Sequence, residues 1–175
     1  MSKKLLFFSF VSYLMISIYS SSSFAEETRL YDVAIAGAGS GGCSAAIQAA
    51  RMGMSVVLIE ESDWIGGQMT GAAVSTMDDK AKTRTGLYLE FITKVGEYYS
   101  ARNTNYNICY WGSDTIAFEP WVGQMILKEM LSEAGLVDII LKAKPLSVKV
   151  ADNKIRSIAA EVKGKNITAS AKVSI

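Results

Sequence analysis

Three glycines, Gly37, Gly39 and Gly42, have the spacing G-x-G-x-x-G, and they carry the clearest chemical signal in this chain. Gly37 allows a sharp turn, Gly39 lets backbone approach a pyrophosphate, and Gly42 lets a helix pack closely on a sheet. The helix that follows would direct free N–H groups and its positive dipole end toward phosphates. The spacing therefore predicts binding of an adenine dinucleotide. The whole turn consists of Gly37, Ala38, Gly39, Ser40, Gly41 and Gly42.

An acidic residue stands at the position where this kind of site needs one. Glu60 lies eighteen positions after Gly42, close to the expected spacing of about twenty. Its carboxylate could accept hydrogen bonds from the hydroxyl groups of a ribose. The same charge would repel a 2′-phosphate, which argues against NADP as the ligand.

The elements around these residues match the motif. Tyr31–Ala36 reads as a buried strand, an alanine-rich helix follows Gly42, and Val56–Ile59 reads as a second buried strand. Glycines in a tight turn often serve the backbone alone, but strand, helix and acid all occur at the required places. The sequence therefore predicts an α/β fold built on a dinucleotide-binding βαβ unit.

The rest of the chain predicts two helices and then strands. Helical spacing of apolar residues covers Gly86–Tyr99 and Pro120–Ala134, with Pro120 in a first turn and Gly135 after the end. Val137–Leu141 reads as a strand. Strands also read at Leu146–Val150, Ile155–Val162 and Ile167–Ile175, the first two forming a hairpin around Asp152 and Asn153.

A second glycine pair follows Glu60. Gly66, Gly67 and Gln68 mark another place where the backbone comes close to a ligand or to another part of the chain. Taken alone, the segment is equally consistent with a plain turn and with a second wall of the cofactor site.

Composition excludes several kinds of chemistry. The chain contains no histidine, the commonest general base and a common metal ligand, so a Ser-His hydrolase or a zinc enzyme is not expected. Asp78 and Asp79 could bind a metal, but adjacent acids without partners favour a solvated turn, and we expect no metal site. No residue can be assigned a catalytic role.

The two cysteines permit a disulfide without favouring one. Cys43 sits in the first helical turn after the glycines, where packing needs a small side chain, so we interpret it as a buried small residue. Cys109 lies in an Asn-rich segment and is expected to be unpaired. A redox role is not expected, because there is no CxxC pair or paired base.

Residues 1–25 have the pattern of a secretory signal peptide. Lys3 and Lys4 precede an apolar run from Leu5 to Ile18, and Ser23-Phe24-Ala25 fits a cleavage site. An uncleaved N-terminal anchor is the alternative, although the run is short for a membrane span. We therefore expect export to the periplasm or outside the cell, and no stable membrane span after cleavage.

Charge gives no sign of a nucleic-acid partner. Without residues 1–25 the chain has 16 basic and 17 acidic side chains, a net charge of −1. Nothing in this balance recruits nucleic acid or an anionic membrane surface. The expected partners are a small-molecule substrate and an electron acceptor, neither of which the sequence identifies.

Several of these segments together resemble the FAD-dependent oxidoreductases of the glutathione-reductase-like type, which have two dinucleotide folds. The stretch Trp64–Asp79 is more specific for this family than the glycine fingerprint, which several nucleotide-binding families share. The similar segments are Asp32–Gly42, Leu58–Glu61, Trp64–Thr70, Val74–Asp79 and Phe118–Pro120.

The resemblance implies a Rossmann-like FAD-binding domain over residues 26–175, with a β-meander covering its sheet. Residues 37–42 would contact the FAD pyrophosphate. Glu60, followed by Glu61, would bind the adenosine ribose. Gly66, Gly67 and Gln68 would follow the pyrophosphate and ribityl chain. Backbone near Lys144 or Pro145 would lie beside the adenine.

The resemblance also implies a longer protein. In the family, the strand corresponding to Ala171–Ile175 leads into a glycine-and-acid segment, and a substrate domain follows; here the sequence ends at Ile175. We therefore expect an N-terminal fragment, incomplete at its C-terminus and inactive alone. Two alternatives stay open: an NAD-binding dehydrogenase domain, and a truncated non-catalytic product.

Overall fold

The first βαβ unit has the predicted form. In the computed structural model, which describes residues 27–104 and 115–175, strand β1 (Glu27–Ala36) leads into helix α1 (Ser40–Arg51) and strand β2 (Val56–Ile59). The two strands pair in parallel, with Val33 opposite Val56. The predicted unit is confirmed, although β1 begins four residues earlier than the apolar pattern indicated.

The remaining elements follow in the predicted order. They are β3 (Thr76–Met77), α2 (Gly86–Ser100), β4 (Ile116–Ala117), α3 (Pro120–Ala134), β5 (Val137–Ile140), β6 (Ala143–Ala151), β7 (Lys154–Val162) and β8 (Lys165–Ser174). Short 3-10 helices occupy Gly67–Met69 and Ala81–Thr83. Pro120 lies at the start of α3 and Gly135, with a φ of 67°, ends it. Proline fits a first helical turn, and glycine readily adopts a positive φ after a last turn.

Six strands form one sheet in the order β5-β2-β1-β8-β7-β6. Strands β5, β2, β1 and β8 are mutually parallel, while β7 pairs antiparallel with β8 and with β6. Asp152 and Asn153 connect β6 and β7 with positive φ angles of 51° and 59°, so the predicted hairpin is confirmed. Strand β8 joins the meander to the parallel strands, because it pairs with both β1 and β7.

Two apolar clusters lie on opposite faces of β1 and β2. Because side chains alternate along a strand, Val33, Ile35 and Leu58 pack on the helical side, and Ala34 and Ile59 pack on the other. The second cluster is completed by meander residues, namely Ile158, Ala160 and Ala169. The meander therefore covers the face without helices, as the resemblance implied. All four residues of β2 are buried, as expected for a parallel strand covered on both sides.

A charged group fixes the end of the sheet opposite the glycine turn. The Asp32 carboxylate accepts hydrogen bonds of 2.9 Å from both the N–H and the hydroxyl of Ser55. The Lys172 ammonium donates to it over 2.6 Å. These bonds, chiefly the one from Lys172, lower the pKa of Asp32 to about 2. Asp32 thus connects β1, the start of β2 and β8.

Some expectations concern residues outside the described ranges. The signal peptide of residues 1–25 and the environment of Cys109 both fall there. Within residues 27–104 and 115–175, every helix is too short or too polar to cross a lipid bilayer.

Candidate functional site

The glycine turn connects β1 to α1 in a conformation that needs glycine at two positions. Gly37 has a φ of 105°, and its N–H donates to the Ile59 carbonyl over 2.8 Å. A Cβ atom on Gly42 would lie 1.9 Å from the Gly37 carbonyl oxygen. Gly42 therefore allows α1 to pack against the turn, as predicted.

Gly39 differs, because the protein leaves open space beside it. Its φ of −66° is accessible to any residue, and a Cβ atom there would have no neighbour within 4 Å. Ser40 and Gly41 are exposed at the first turn of α1, where backbone N–H groups lack intrahelical partners. Open space beside free donors suits an anionic group such as a pyrophosphate.

The Glu60 carboxylate faces this turn from the end of β2. One oxygen accepts the Ala38 N–H over 2.8 Å. The other accepts the Ser62 N–H over 2.9 Å. Burial would raise the pKa of Glu60, but these hydrogen bonds outweigh it, and the pKa lies below its usual value. Glu60 is thus an ionised group fixed beside the glycines. Glu61 is exposed, and of these two neighbouring carboxylates it is that of Glu60 that accepts a hydrogen bond from the turn.

The second glycine pair lies directly against the first. The Gly66 N–H donates to the Ala38 carbonyl over 2.7 Å, and Gly39 and Gly66 form a parallel β-bridge. Gly67 has a φ of 58°, and a Cβ atom on it would lie 3.0 Å from the Gly39 Cα. The segment is therefore a wall next to the glycine turn rather than a separate loop. Its binding of cofactor stays a prediction, as does that of Gln68, which is exposed nearby.

Two polar side chains that sequence reasoning missed hold this wall in place. The buried Thr70 hydroxyl donates to the Ile65 carbonyl over 2.5 Å. The Ile65 N–H donates to the Gln124 side-chain oxygen of α3 over 3.1 Å. Thr70 lies within the family-like stretch Trp64–Asp79 but was given no role there. The contact to Gln124 spans 59 positions, so no local signal indicated it.

Cys43 is a packing residue, as interpreted from the sequence. It is fully buried, and its thiol contacts the Ala38 carbonyl at 3.3 Å. Burial raises the pKa of this thiol to about 12. A thiol that stays protonated is a poor nucleophile, which agrees with a packing role for Cys43.

The solvated-turn interpretation is wrong for Asp79. Its carboxylate accepts two hydrogen bonds from the Arg84 guanidinium, of 2.6 Å and 3.0 Å. The ion pair is mostly buried, with side chains 14% and 12% exposed, and the bonds from Arg84 lower the pKa of Asp79. Asp78 is exposed. No group of three or more potential metal-ligating side chains occurs in the described part of the chain.

The start of β6 lies beside Glu60, where the resemblance placed the adenine. The Ala143 N–H donates to the Glu60 carbonyl over 2.9 Å, and the Lys142 N–H donates to the Ser62 carbonyl over 2.9 Å. Lys144 and Pro145 follow directly in β6. Their position is compatible with a contact to adenine, and that contact stays a prediction.

The residues present fit an FAD molecule. A space that a Cβ would fill at Gly39, exposed N–H groups at the start of α1 and an ionised carboxylate at the end of β2 lie next to one another. The N–H groups suit the phosphates, the carboxylate suits the ribose, and the open space lets the cofactor approach the backbone. Together with the four parallel strands of the sheet, they define a dinucleotide-binding α/β domain.

The family is identified by a match over most of the chain. Residues 32–175 match the model of the family described as FAD dependent oxidoreductase. The chain belongs to this family, whose cofactor is FAD. No curated protein matches the chain.

Several solved structures have a similar fold and low sequence identity to this chain. L-proline dehydrogenase from P. horikoshii is 20% identical, with a TM-score of 0.50, and the match covers 89% of this chain and 24% of that one. A geranylgeranyl bacteriochlorophyll reductase-like protein from Thermoplasma acidophilum is 19% identical, with a TM-score of 0.61 and coverages of 84% and 38%. Thermovibrio ammonificans THI4 is 13% identical, with a TM-score of 0.53 and coverages of 99% and 64%. The chain thus spans less than two thirds of each of these structures.

Proposed function

We propose that this chain is the FAD-binding portion of an exported flavin-dependent oxidoreductase. The observation that carries the proposal is the contact between the two glycine segments and Glu60, within a chain of the FAD-dependent family. Bound FAD would supply the chemistry, by accepting a hydride or electrons from a substrate and passing them to an acceptor. The protein's own contribution would be to bind and orient FAD.

Each part of the site would have its own task. Backbone N–H groups of Ser40 and Gly41 would bind the pyrophosphate, with Gly39 leaving room for it. Glu60 would accept hydrogen bonds from the ribose hydroxyls, in exchange for part of its present bonding to Ser62. Gly67 and Gln68 would lie along the chain that leads to the flavin ring. The meander, absent from a plain alternating NAD fold, supports FAD over NAD.

We expect the full-length gene product to purify yellow, with FAD bound. In the same protein, we expect Glu60→Gln to reduce FAD affinity about tenfold. The substitution removes the charge that strengthens the hydrogen bonds to ribose. It keeps a side-chain oxygen that can accept from Ala38, so the turn should persist. Affinity is measured by titrating the flavin-free protein with FAD, and the bound ligand is identified by mass spectrometry after release.

Glu97→Gln is the matched control, because it removes the same charge from an exposed position of α2 outside the proposed site. It should leave FAD affinity within about twofold of the original value. Equal losses in both variants would contradict the role of Glu60. A colourless protein that releases NAD would contradict the flavin proposal itself.

Export is proposed from the N-terminal sequence. The basic Lys3 and Lys4, the apolar run and the Ser23-Phe24-Ala25 site support cleavage after Ala25. We expect the mature protein, recovered from the producing cells' exported fraction, to begin at Glu26 by N-terminal sequencing. Recovery of chains that retain residues 1–25 would contradict cleavage.

A further inference from the structure

A cavity of about 540 Å³ opens beside the proposed cofactor site. Its lining includes Ser40 and Gly41 of α1 and Gln68 of the second glycine segment. Its interior is largely apolar, with walls from α1, α2 and α3. The apolar lining includes Ile47, Met69, Met77, Phe91, Leu127 and Met130. Its volume lies within the range of about 300–1,000 Å³ that is typical of small-molecule sites.

The cavity lining includes one acidic residue. Asp78 and Tyr88 both line the cavity, and Asp78 is the one charged residue among the described residues that line it. The Arg84 guanidinium, which is six positions further along the chain, donates two hydrogen bonds to the neighbouring Asp79. The Arg84 charge is therefore balanced by Asp79, while the Asp78 carboxylate is exposed beside an apolar surface.

From this arrangement we propose that the cavity binds an apolar molecule that carries a cationic amine, with Asp78 as its counter-ion. The inference rests on the proposed function, because a molecule bound there would adjoin the part of the site assigned to FAD. The apolar walls would hold the body of the ligand, and a charge-assisted hydrogen bond to Asp78 would orient its amine. Anionic molecules of the same shape would be repelled by the same carboxylate.

An anion is the competing ligand, because the N-terminus of a helix lies at the cavity. Helix α2 begins at Gly86, and its first-turn residues Leu87 and Tyr88 line the cavity. A helix N-terminus favours negative charge by a modest amount at an exposed site. A full carboxylate charge at Asp78 should outweigh that partial charge for a ligand that reaches it.

The test uses three molecules of one shape: 4-phenylbutylamine, 4-phenylbutan-1-ol and 4-phenylbutanoate. Each is titrated calorimetrically into the full-length holoprotein, at a pH where the amine is charged. We expect the amine to bind at least about tenfold more tightly than the acid, with the alcohol between them. Asp78→Asn should reduce the amine-to-acid ratio to less than about threefold.

Two further variants assign the effect to the cavity. Asp152→Asn, which makes the same charge change in the exposed hairpin turn, should leave the ratio unchanged. Val74→Trp places a large ring on a half-exposed lining residue, so it should weaken all three ligands without disturbing the core. FAD content is measured on every sample, and Asp78→Asn should keep it.

The outcomes separate this inference from the proposed function. Tighter binding of the acid, an unchanged ratio in Asp78→Asn, or no binding of any probe to a protein with full FAD content would each overturn the cavity inference alone. A protein without flavin would contradict the proposed function, and the cavity inference with it.

Discussion

Replacing Gly42 by alanine is expected to destabilise the protein strongly. The new Cβ atom would lie 1.9 Å from the Gly37 carbonyl oxygen and 3.0 Å from its carbon. Gly37 cannot easily move away, because its N–H is bonded to Ile59 and its φ of 105° is already fixed by the turn. We expect the free energy of unfolding to fall by at least about 3 kcal/mol. A typical domain has about 5–15 kcal/mol in total.

The measurement is the urea midpoint of unfolding, together with the soluble yield. Gly41→Ala is the matched control, because it lies one residue away in the same helical turn and a Cβ there has no neighbour within 4 Å. Alanine is a better helix former than glycine, so this variant should be as stable as the original or more so. A Gly42→Ala protein with an unchanged midpoint would show that α1 can shift without cost.

Local sequence was sufficient to predict the βαβ unit and the order of the later elements. Val56–Ile59 is apolar throughout because it is buried on both faces, and this leaves a clear signal. The start of β1 left no such signal in the sequence. Glu27–Leu30 is a strand because it pairs with β8, for example Glu27 with Ile167, and Leu30 is 82% exposed there. Pairing across such a separation is not encoded in local hydrophobicity.

The same distinction applies to the candidate site. The fingerprint predicted Gly37 and Gly42 because their turn requires glycine, and it predicted Glu60 from its spacing of eighteen positions after Gly42. The decision between a plain loop and a second wall for Gly66–Gly67 depended on contact with Gly39, which sequence spacing cannot supply. Asp79 was misinterpreted for the same reason, since its pairing with Arg84 depends on how the intervening 3-10 turn is folded.

Replacing Gly39 by valine is expected to abolish FAD retention while the protein stays folded. The backbone at Gly39 has an ordinary φ of −66°, and a Cβ has no protein neighbour within 4 Å, so the chain itself should accept a side chain. The space that it would fill is where the pyrophosphate would meet the turn. We expect FAD affinity to fall by at least about a hundredfold, or about 2.7 kcal/mol, with a urea midpoint close to the original.

This contrast between Gly39 and Gly42 tests whether the glycine turn binds phosphate or only serves the fold. Gln48→Val provides the control, since it introduces the same β-branched side chain at an exposed position of α1 and should keep FAD. If both Gly39→Val and Gly42→Ala lost stability together, the glycines would act through the fold alone. If folded Gly39→Val kept its flavin, the pyrophosphate would have to lie elsewhere. Loss of flavin from a stable Gly39→Val protein requires a ligand at the turn, because the protein leaves that space open.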